Sequence, residues 1–446
     1  MKAATAGSPT REPGVHKSAL LWLCLLAPFF FLTYGFATWV TSLRSDVSSM
    51  AFGWEQHVPF WAWTIVPYWS IDLLYAFSLF LPRSREALRC HGLRLLTAQL
   101  IAVACFLAWP LRFSFARPET EGVFGWLFEV VSVFDKPFNQ APSLHIALLV
   151  VLWVCLAQHI PGVWRWLIHG WFALIGISVM TTYQHHFFDI PTGALLGWLC
   201  VWLWPDERPH TTHGRRPGNQ PKHIVLGLQY TGAALLFFGT ALWFGGAGLW
   251  LIWPATSLLL VALNYIMLGA AGFQKDSSGH LSCAAQWLMA PYLAAAWINS
   301  RLWTYRNPHA NQVADDVWLG RIPTASDLRR GAYTGVVDLC AELSLSAETV
   351  NYRSIPVLDL GAPSAKKCIE AAQAIEQLRQ CGPVLVCCAL GYSRSATAVA
   401  AWLLLTGRVG SVDEAIKKIQ LARPGVVLHS AHRQQLSTVP TGDKHP

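Results

Sequence analysis

Near its C-terminus the chain reads Cys388-Ala389-Leu390-Gly391-Tyr392-Ser393-Arg394-Ser395, between a strand-like run at 383–387 and an apolar helical run at 396–405. A cysteine, five intervening residues and an arginine, set between a buried strand and a helix N-terminus, supply the parts of a phosphate-cradling loop. Backbone amides of such a turn point inward, and the helix dipole favours an anion. Gly391 permits the sharp curvature, and Arg394 can grip two phosphoryl oxygens at once. The same field favours the thiolate of Cys388, the form that attacks phosphorus. Ser395 can donate a hydrogen bond to that sulfur and help it leave in a second step. A phosphomonoester also needs its departing alkoxide protonated. Asp359 stands just past another strand-like run, 355–358, and strand ends beside a shared edge are where such groups are found.

These residues resemble the dual-specificity branch of the protein tyrosine phosphatases, over roughly 317–436, with Trp318-Leu319-Gly320-Arg321 at the start and Ala422-Arg423-Pro424 near the end. The resemblance implies Cys388 as nucleophile, Arg394 as phosphate-binding residue, Ser395 as its assistant and Asp359 as general acid. Cys387 stands where the family usually has histidine; it reads as a buried strand-end residue, and vicinal cysteines are poorly placed to bridge. The loop interior lacks Lys and Arg, which suits a single phosphate on a lipid or a protein side chain better than a polyphosphorylated headgroup.

A second group of polar residues interrupts the apolar half of the chain. It comprises Arg117-Pro118, then Ala141-Pro142-Ser143-Leu144-His145, then His185-His186-Phe187-Phe188-Asp189. Ser143 and His145 open one apolar run. His185 and Asp189 are four apart, a spacing that puts both on one face of a helix. Such a pair makes an oriented, more basic imidazole that can attack phosphorus while a second histidine protonates the departing oxygen. The three stretches, within roughly 60–204, resemble the type 2 phosphatidic acid phosphatase (PAP2) superfamily. That resemblance implies His185 as nucleophile, Asp189 as its orienter, His145 as general acid, and Arg117 and Ser143 as part of the phosphate cradle. Leu144 replaces the usual Gly, Val179 stands at the third motif's Arg and Pro110 at the leading Lys, with Lys136 as a possible replacement cation. The Pro-Ser-Leu-His form is similar to the inositolphosphorylceramide-synthase branch, in which an alcohol can accept the phosphoryl group.

The elements that must position these groups follow from composition. Of 446 residues 53% are apolar and only 13% charged, with 23 tryptophans, too apolar and too long for one ordinary soluble domain. Charged residues become frequent only after about residue 300. Apolar runs of roughly 17–25 residues or close to it, near 18–40, 58–81, 93–113, 142–158, 164–180, 189–204, 223–244 and 249–268, predict about eight spans. Lys and Arg concentrate in alternate loops (Lys2, Arg11, Lys17; Arg83, Arg85, Arg89; Arg165; Arg208, Arg215, Arg216, Lys222), which places that side in the cytoplasm. The histidine site then faces the exterior, and the C-terminal domain returns to the cytoplasm, where a thiolate nucleophile stays reduced.

The division expected is a tail at 1–17, a PAP2-like membrane domain at 18–204, and a basic loop with two further spans at 205–280. An interfacial helix or linker at 281–304 and a soluble α/β phosphatase domain at 305–446 complete it. Helical spacing over 365–380 should pack on a sheet, Glu370, Glu376, Lys417 and Lys418 read as solvated, and Cys24, Cys90, Cys105, Cys155 and Cys200 as small core residues. The net charge of +8 sits in loops flanking apolar runs, which points to anionic lipid headgroups rather than nucleic acid. Those five cysteines of the first half show no metal-type pair spacing, and neither resemblance implies a cofactor.

The fused arrangement resembles bacterial inner-membrane proteins that join the two phosphatase families. The expectation is a membrane phosphatase acting on phosphomonoesters of phospholipids, with a second, histidine-dependent site. The alternatives are a membrane-anchored tyrosine or serine phosphatase whose membrane half is a sensor or anchor, or a membrane half that transfers phosphoryl headgroups to an alcohol.

Overall fold

In the computed structural model, residues 11–134, 136–206, 221–347 and 350–442 are described. The chain divides into two compact units, 1–207 and 208–446. Within the first unit lie helices α1 (Val15–Ser42), α2 (Ile65–Ser78), α3 (Arg85–Ala108), α4 (Gly122–Phe134), α5 (Leu144–His159), α6 (Trp164–Thr181) and α7 (Asp189–Leu203). Helix α1 exposes Leu20, Leu21, Leu25, Phe31, Leu32, Phe36 and Trp39, the surface of a helix with no polar face. Central α5 is buried from Ile146 through Leu152 and packs against α2, α3, α6 and α7. Gly193 and Gly197 let α7 approach it closely, because a Cβ there would fall 2.4 Å from the Ser143 carbonyl oxygen and 2.7 Å from that of Ala147. That approach sets the start of α5 beside the start of α7. Helix α3 begins earlier than the apolar run suggested, since Ser84 caps it by accepting from Ala87 N–H, and it ends ahead of Pro110. Its Arg94 is buried and paired with Asp206 at 2.9 Å.

Each of the eight predicted runs holds a helix, but among the described residues only four stretches have the length and composition to cross a membrane: Val15–Ser42, Arg85–Ala108, Lys222–Phe244 and Gly246–Phe273. Helix α4 lies where the sequence suggested only a loop. Cys24 is exposed, whereas Cys90, Cys155 and Cys200 are buried. Lys2 and the basic cluster Arg208, Arg215 and Arg216 fall outside the described residues.

The second unit opens with α8 (Pro221–Phe244) and α9 (Ile252–Leu263). A π turn, Asn264–Leu268, and a 3₁₀ turn, Gly269–Phe273, continue α9. The segment expected as one interfacial helix is two, α10 (Cys283–Leu288) and α11 (Ala290–Trp303), broken at Met289, with Pro291 in the first turn of α11 where a missing N–H costs nothing. Trp287, Trp297 and Trp303 are exposed along it.

There follow β1 (Asn311–Ala314), β2 (Val317–Arg321), α12 (Ala325–Gly331), β3 (Gly335–Cys340), β4 (Asn351–Val357) and α13 (Ala365–Arg379). Then come β5 (Val384–Cys388), α14 (Arg394–Leu405), α15 (Val412–Ala422) and α16 (Ser430–Leu436). The sheet order is β1-β2-β5-β3-β4, with β1 antiparallel and the other pairings parallel. Strand alternation sends Val384, Val386 and Cys388 into the core with α13 and α14, and Leu385 and Cys387 into the core on the opposite face. The adjacent cysteines therefore point to opposite sides of the sheet. Strands expected at 355–358 and 383–387 agree within a few residues with β4 and β5, whereas short β1 gave no local signal. Glu376 is not a free surface charge: half-buried, it accepts from the buried Trp402 indole at 2.8 Å and pairs with Arg379, tying α13 to α14.

Candidate active sites

The cysteine loop runs from the C-terminal end of β5 to the first turn of α14, which starts at Arg394 rather than at Ala396. Gly391 has φ +75°, and a Cβ there would sit 2.4 Å from the Gly320 carbonyl carbon on β2, so both the turn and the close approach require glycine. Its N–H donates to Cys388 Sγ at 3.2 Å, and Ser395 Oγ donates to the same sulfur at 3.2 Å. Two donors thus converge on Cys388 at a helix N-terminus. Arg423 braces the loop from outside: it donates to the Leu390 carbonyl at 3.2 Å, to the His309 carbonyl at 2.9 Å and to Asn311 at 2.7 Å, and lies over the Tyr392 ring. Ser393 Oγ is 2.8 Å from His432 Nε2.

Arg394 is buried. Its Nη1 donates to Glu342 Oε2 at 2.9 Å and to the Val357 carbonyl at 2.8 Å, while Nη2 donates to Glu342 Oε1 at 2.7 Å and pairs with Asp359 Oδ1 at 2.9 Å. Burial pushes the Glu342 carboxyl up, yet the guanidinium facing it holds it below the usual range. Asp359, its side chain 32% exposed, behaves in the opposite sense. Burial raises it, Glu342 raises it further, and Arg394 only partly opposes them, so its proton is held more tightly than an ordinary aspartic acid's. Burial also pushes the Cys387 thiol well up, and Asp338 adds to the effect, which leaves it inert beside its neighbour.

The sequence brought Cys388, Gly391, Arg394, Ser395 and Asp359 to notice, and the structure gathers all five. Glu342 was not anticipated, nor were Tyr265, whose hydroxyl donates to the Asp359 carbonyl at 3.0 Å, and Ser300, whose hydroxyl donates to the Ala389 carbonyl at 2.6 Å.

In the first unit, Ser143 caps α5, accepting from Ile146 N–H, and its hydroxyl lies 3.1 Å from His185 Nε2. His185 Nδ1 lies 3.2 Å from Asp189 Oδ2, and all three residues are buried. The expected reason for the His185–Asp189 contact does not hold. His185 precedes α7, in a turn where Tyr183 takes φ +57° and His185 N–H donates to the Val179 carbonyl. The two residues meet across the entry to a helix, not along its face. With Asp189 accepting at Nδ1, the proton is assigned there, which leaves Nε2 as the lone-pair nitrogen facing Ser143.

His186 is fully satisfied elsewhere. Its Nδ1 is 2.8 Å from Glu55, and its Nε2 accepts from Ser114 N–H at 3.1 Å. Burial pushes the Glu55 carboxyl up, but hydrogen bonds from His186 and from the backbone of Phe52 and Phe187 leave it below the usual range. This pair was not anticipated. His145 stacks on Tyr68 with ring centroids 4.2 Å apart, and its Nε2 is buried without a hydrogen-bond partner among the described residues. Arg117 places its guanidinium 4.8 Å from the Phe128 ring centroid, in the same apolar cluster that holds Tyr68 and Val179. Val179 is wholly buried there, and Lys136 is exposed.

Residues 318–441 match the family described as dual specificity phosphatase, catalytic domain, and residues 88–209 match the PAP2 superfamily. No curated protein matches the chain. Among solved structures the chain is similar to Tk-PTP in its active form, with 29% identity over 30% of this chain and 97% of that one, TM-score 0.28. It is similar to human DUSP28, with 25% identity over 30% of this chain and 93% of that one, TM-score 0.27. It is also similar to PTPMT1 in complex with PI(5)P, with 24% identity over 28% of this chain and 91% of that one, TM-score 0.27. The chain joins two phosphatase domains, a PAP2 superfamily domain over 88–209 and a dual specificity phosphatase catalytic domain over 318–441.

Proposed function

We propose that this membrane protein hydrolyses phosphomonoesters of phospholipids at Cys388, in a reducing, cytoplasmic compartment. The observation that carries the mechanism is the convergence of Gly391 N–H and Ser395 Oγ on Cys388 Sγ at the start of α14. The thiolate attacks phosphorus in line; the bond from phosphorus to the leaving oxygen breaks as the P–S bond forms, and Asp359 gives its proton to that oxygen. Water then attacks the cysteinyl phosphate, Asp359 takes the water's proton, and the P–S bond breaks with Ser395 hydrogen-bonded to the departing sulfur. Arg394 can turn a terminal N–H to a phosphoryl oxygen only by exchanging a partner, because all four terminal hydrogens face acceptors. The exchangeable partner is Asp359, the more exposed of its two carboxylates. A phosphate that takes that place removes the cation from Asp359 and sets a dianion beside it, and both changes favour the protonated acid.

The lipid substrate is supported by Tyr265. It lies in a stretch apolar and long enough to cross a membrane, Gly246–Phe273, yet hydrogen-bonds the backbone of the general-acid residue, which puts the acid loop within one side chain of such a segment. In the same reading the second site transfers phosphoryl groups through His185 Nε2, which Asp189 orients and Ser143 faces, with His145 as acid and Arg117 and Ser143 as the phosphate cradle.

Purified full-length protein in mixed micelles, assayed with phosphatidylglycerophosphate, phosphatidic acid and a phosphotyrosine peptide, tests the reading. Cys388→Ser should abolish release from the lipid hydrolysed at that site, and His185→Ala should spare it. Faster turnover of the peptide than of either lipid, or undiminished release in both variants, would overturn it.

A further inference from the structure

Three buried polar side chains from residues 264–304, all ahead of the family match at 318–441, end on three different loops of the cysteine site. Tyr265 donates to the Asp359 carbonyl at 3.0 Å, on the acid loop. Ser300 donates to the Ala389 carbonyl at 2.6 Å, the peptide that follows the nucleophile. Lys275 donates to Asp338 at 2.5 Å, to the Cys340 carbonyl at 2.8 Å and to the Leu343 carbonyl at 2.7 Å, bracketing Glu342, the partner of Arg394. Its ammonium has three hydrogens, and each has an acceptor.

The backbone that delivers these side chains is specialised. The π turn at Asn264–Leu268 continues α9 and carries Tyr265, and π turns recur at functional positions. The following 3₁₀ turn folds back tightly, since a Cβ on Gly272 would lie 1.8 Å from Asn264 Oδ1. A short hairpin then pairs Lys275 with Leu281, and Leu345 N–H donates to the Gly279 carbonyl, which docks the hairpin on the loop holding Glu342. A lysine taken wholly out of water costs several kcal/mol unless its partners are well placed, and an apolar residue would fill the volume more cheaply. What the lysine adds is a defined position for two carbonyls and one carboxylate.

We infer that this membrane-proximal segment is a working part of the phosphatase, in which Tyr265, Lys275 and Ser300 are positioning residues that each set one catalytic loop. The inference rests on the cysteine mechanism proposed above. The Tyr265 and Ser300 contacts differ in consequence because the loops they hold do different work. Loss of the Tyr265 hydrogen bond loosens the general acid, so it slows substrates with poor leaving groups and spares those whose leaving group needs no proton. Loss of the Ser300 hydrogen bond loosens the phosphate loop, so it slows both kinds of substrate and weakens binding of inorganic phosphate.

Tyr265→Phe and Ser300→Ala in the full-length protein test this, with phosphatidylglycerophosphate and para-nitrophenyl phosphate as substrates, inorganic phosphate as inhibitor, and Cys388→Ser alongside. Tyr265→Phe should lower kcat about tenfold for the lipid and less than about twofold for the aryl ester, the effect of one hydrogen bond on one step. Ser300→Ala should lower both about equally and raise the inhibition constant for phosphate about fivefold. An equal effect of Tyr265→Phe on both substrates, no effect on either, or unchanged phosphate inhibition in Ser300→Ala, would overturn the inference. Should Tyr265→Phe fail to fold, phosphate inhibition of Ser300→Ala decides alone. Full activity in Cys388→Ser would instead remove the mechanism beneath it.

Discussion

Arg394 and Glu342, 52 positions apart, form a two-pronged ion pair at 2.9 and 2.7 Å, with both side chains almost wholly buried. The pair aims the guanidinium before any phosphate arrives. Removing one partner of a buried pair leaves the other charge uncompensated, so Glu342→Ala should lower unfolding free energy by about 3–5 kcal/mol. Glu342→Gln, which keeps the shape, should unfold less easily than Glu342→Ala and still bind phosphate more weakly than the parent. Denaturant unfolding and phosphate inhibition measure the two effects.

The same pair sets an acid limit on stability. The Glu342 carboxyl is lower in the folded protein than in the unfolded chain, so its contribution is fully present above the unfolded value and is lost as pH falls through the folded one. Unfolding followed below about pH 4.3, the ordinary glutamate value, should show a steeper loss in the parent than in Glu342→Gln.

Asp359 carries the opposite shift, and its consequence is in rate. The carboxyl is raised, so its acid form persists to higher pH than an ordinary aspartate's and is lost as pH climbs through the raised value. Turnover of an alkyl phosphomonoester should fall along that alkaline limb. Asp359→Asn should remove the limb and lower kcat by about a hundredfold for the alkyl ester, the lower end of what general acids contribute. The aryl ester should lose far less.

Gly391→Ala places a methyl group against the β2 backbone at a left-handed φ. The loop must shift to accept it, and a displacement of about 1 Å at such a site costs about a hundredfold in kcat. Circular dichroism of the variant should remain that of the parent, since the change touches a loop rather than a core strand.

Legibility in the sequence followed the range of each signal. Cys388, Gly391, Arg394 and Ser395 lie within one short turn, and a turn between a strand and a helix can be read from its own residues. His185 and Asp189 were found through their spacing, but for a reason that the structure replaces: the pair spans a loop and a helix start, because Tyr183 reverses the chain before α7 begins. Glu342, Lys275, Tyr265, Ser300 and Glu55 carry no local pattern. Each gains its role from a partner at least 52 positions away, the shortest separation being that between Glu342 and Arg394 and the next the 63 between Lys275 and Asp338. The number of spans is also weakly encoded, since α2, α5 and α7 are short and the apolar runs around them include irregular turns.

His185 and His186 are neighbours with different duties. Ring nitrogens of His186 are both engaged, by Glu55 and Ser114, whereas Nε2 of His185 faces a hydroxyl that a substrate can displace. In a Cys388→Ser background, His185→Gln should abolish whatever phosphoryl transfer remains. His186→Gln should lower thermal stability and leave measurable turnover. Equal loss of turnover in the two variants, with equal stability, would contradict the assignment of the nucleophile.

In the proposed mechanism the phosphoryl group passes through Cys388. Rapid quenching of the full-length protein during turnover of phosphatidylglycerophosphate, followed by peptide mass analysis, reads this directly. The account predicts one phosphoryl group on the peptide containing Cys388, absent in Cys388→Ser and accumulating in Asp359→Asn supplied with the aryl ester. Phosphoryl label confined to a histidine peptide, or turnover of that lipid without any label at Cys388 in either protein, would contradict it.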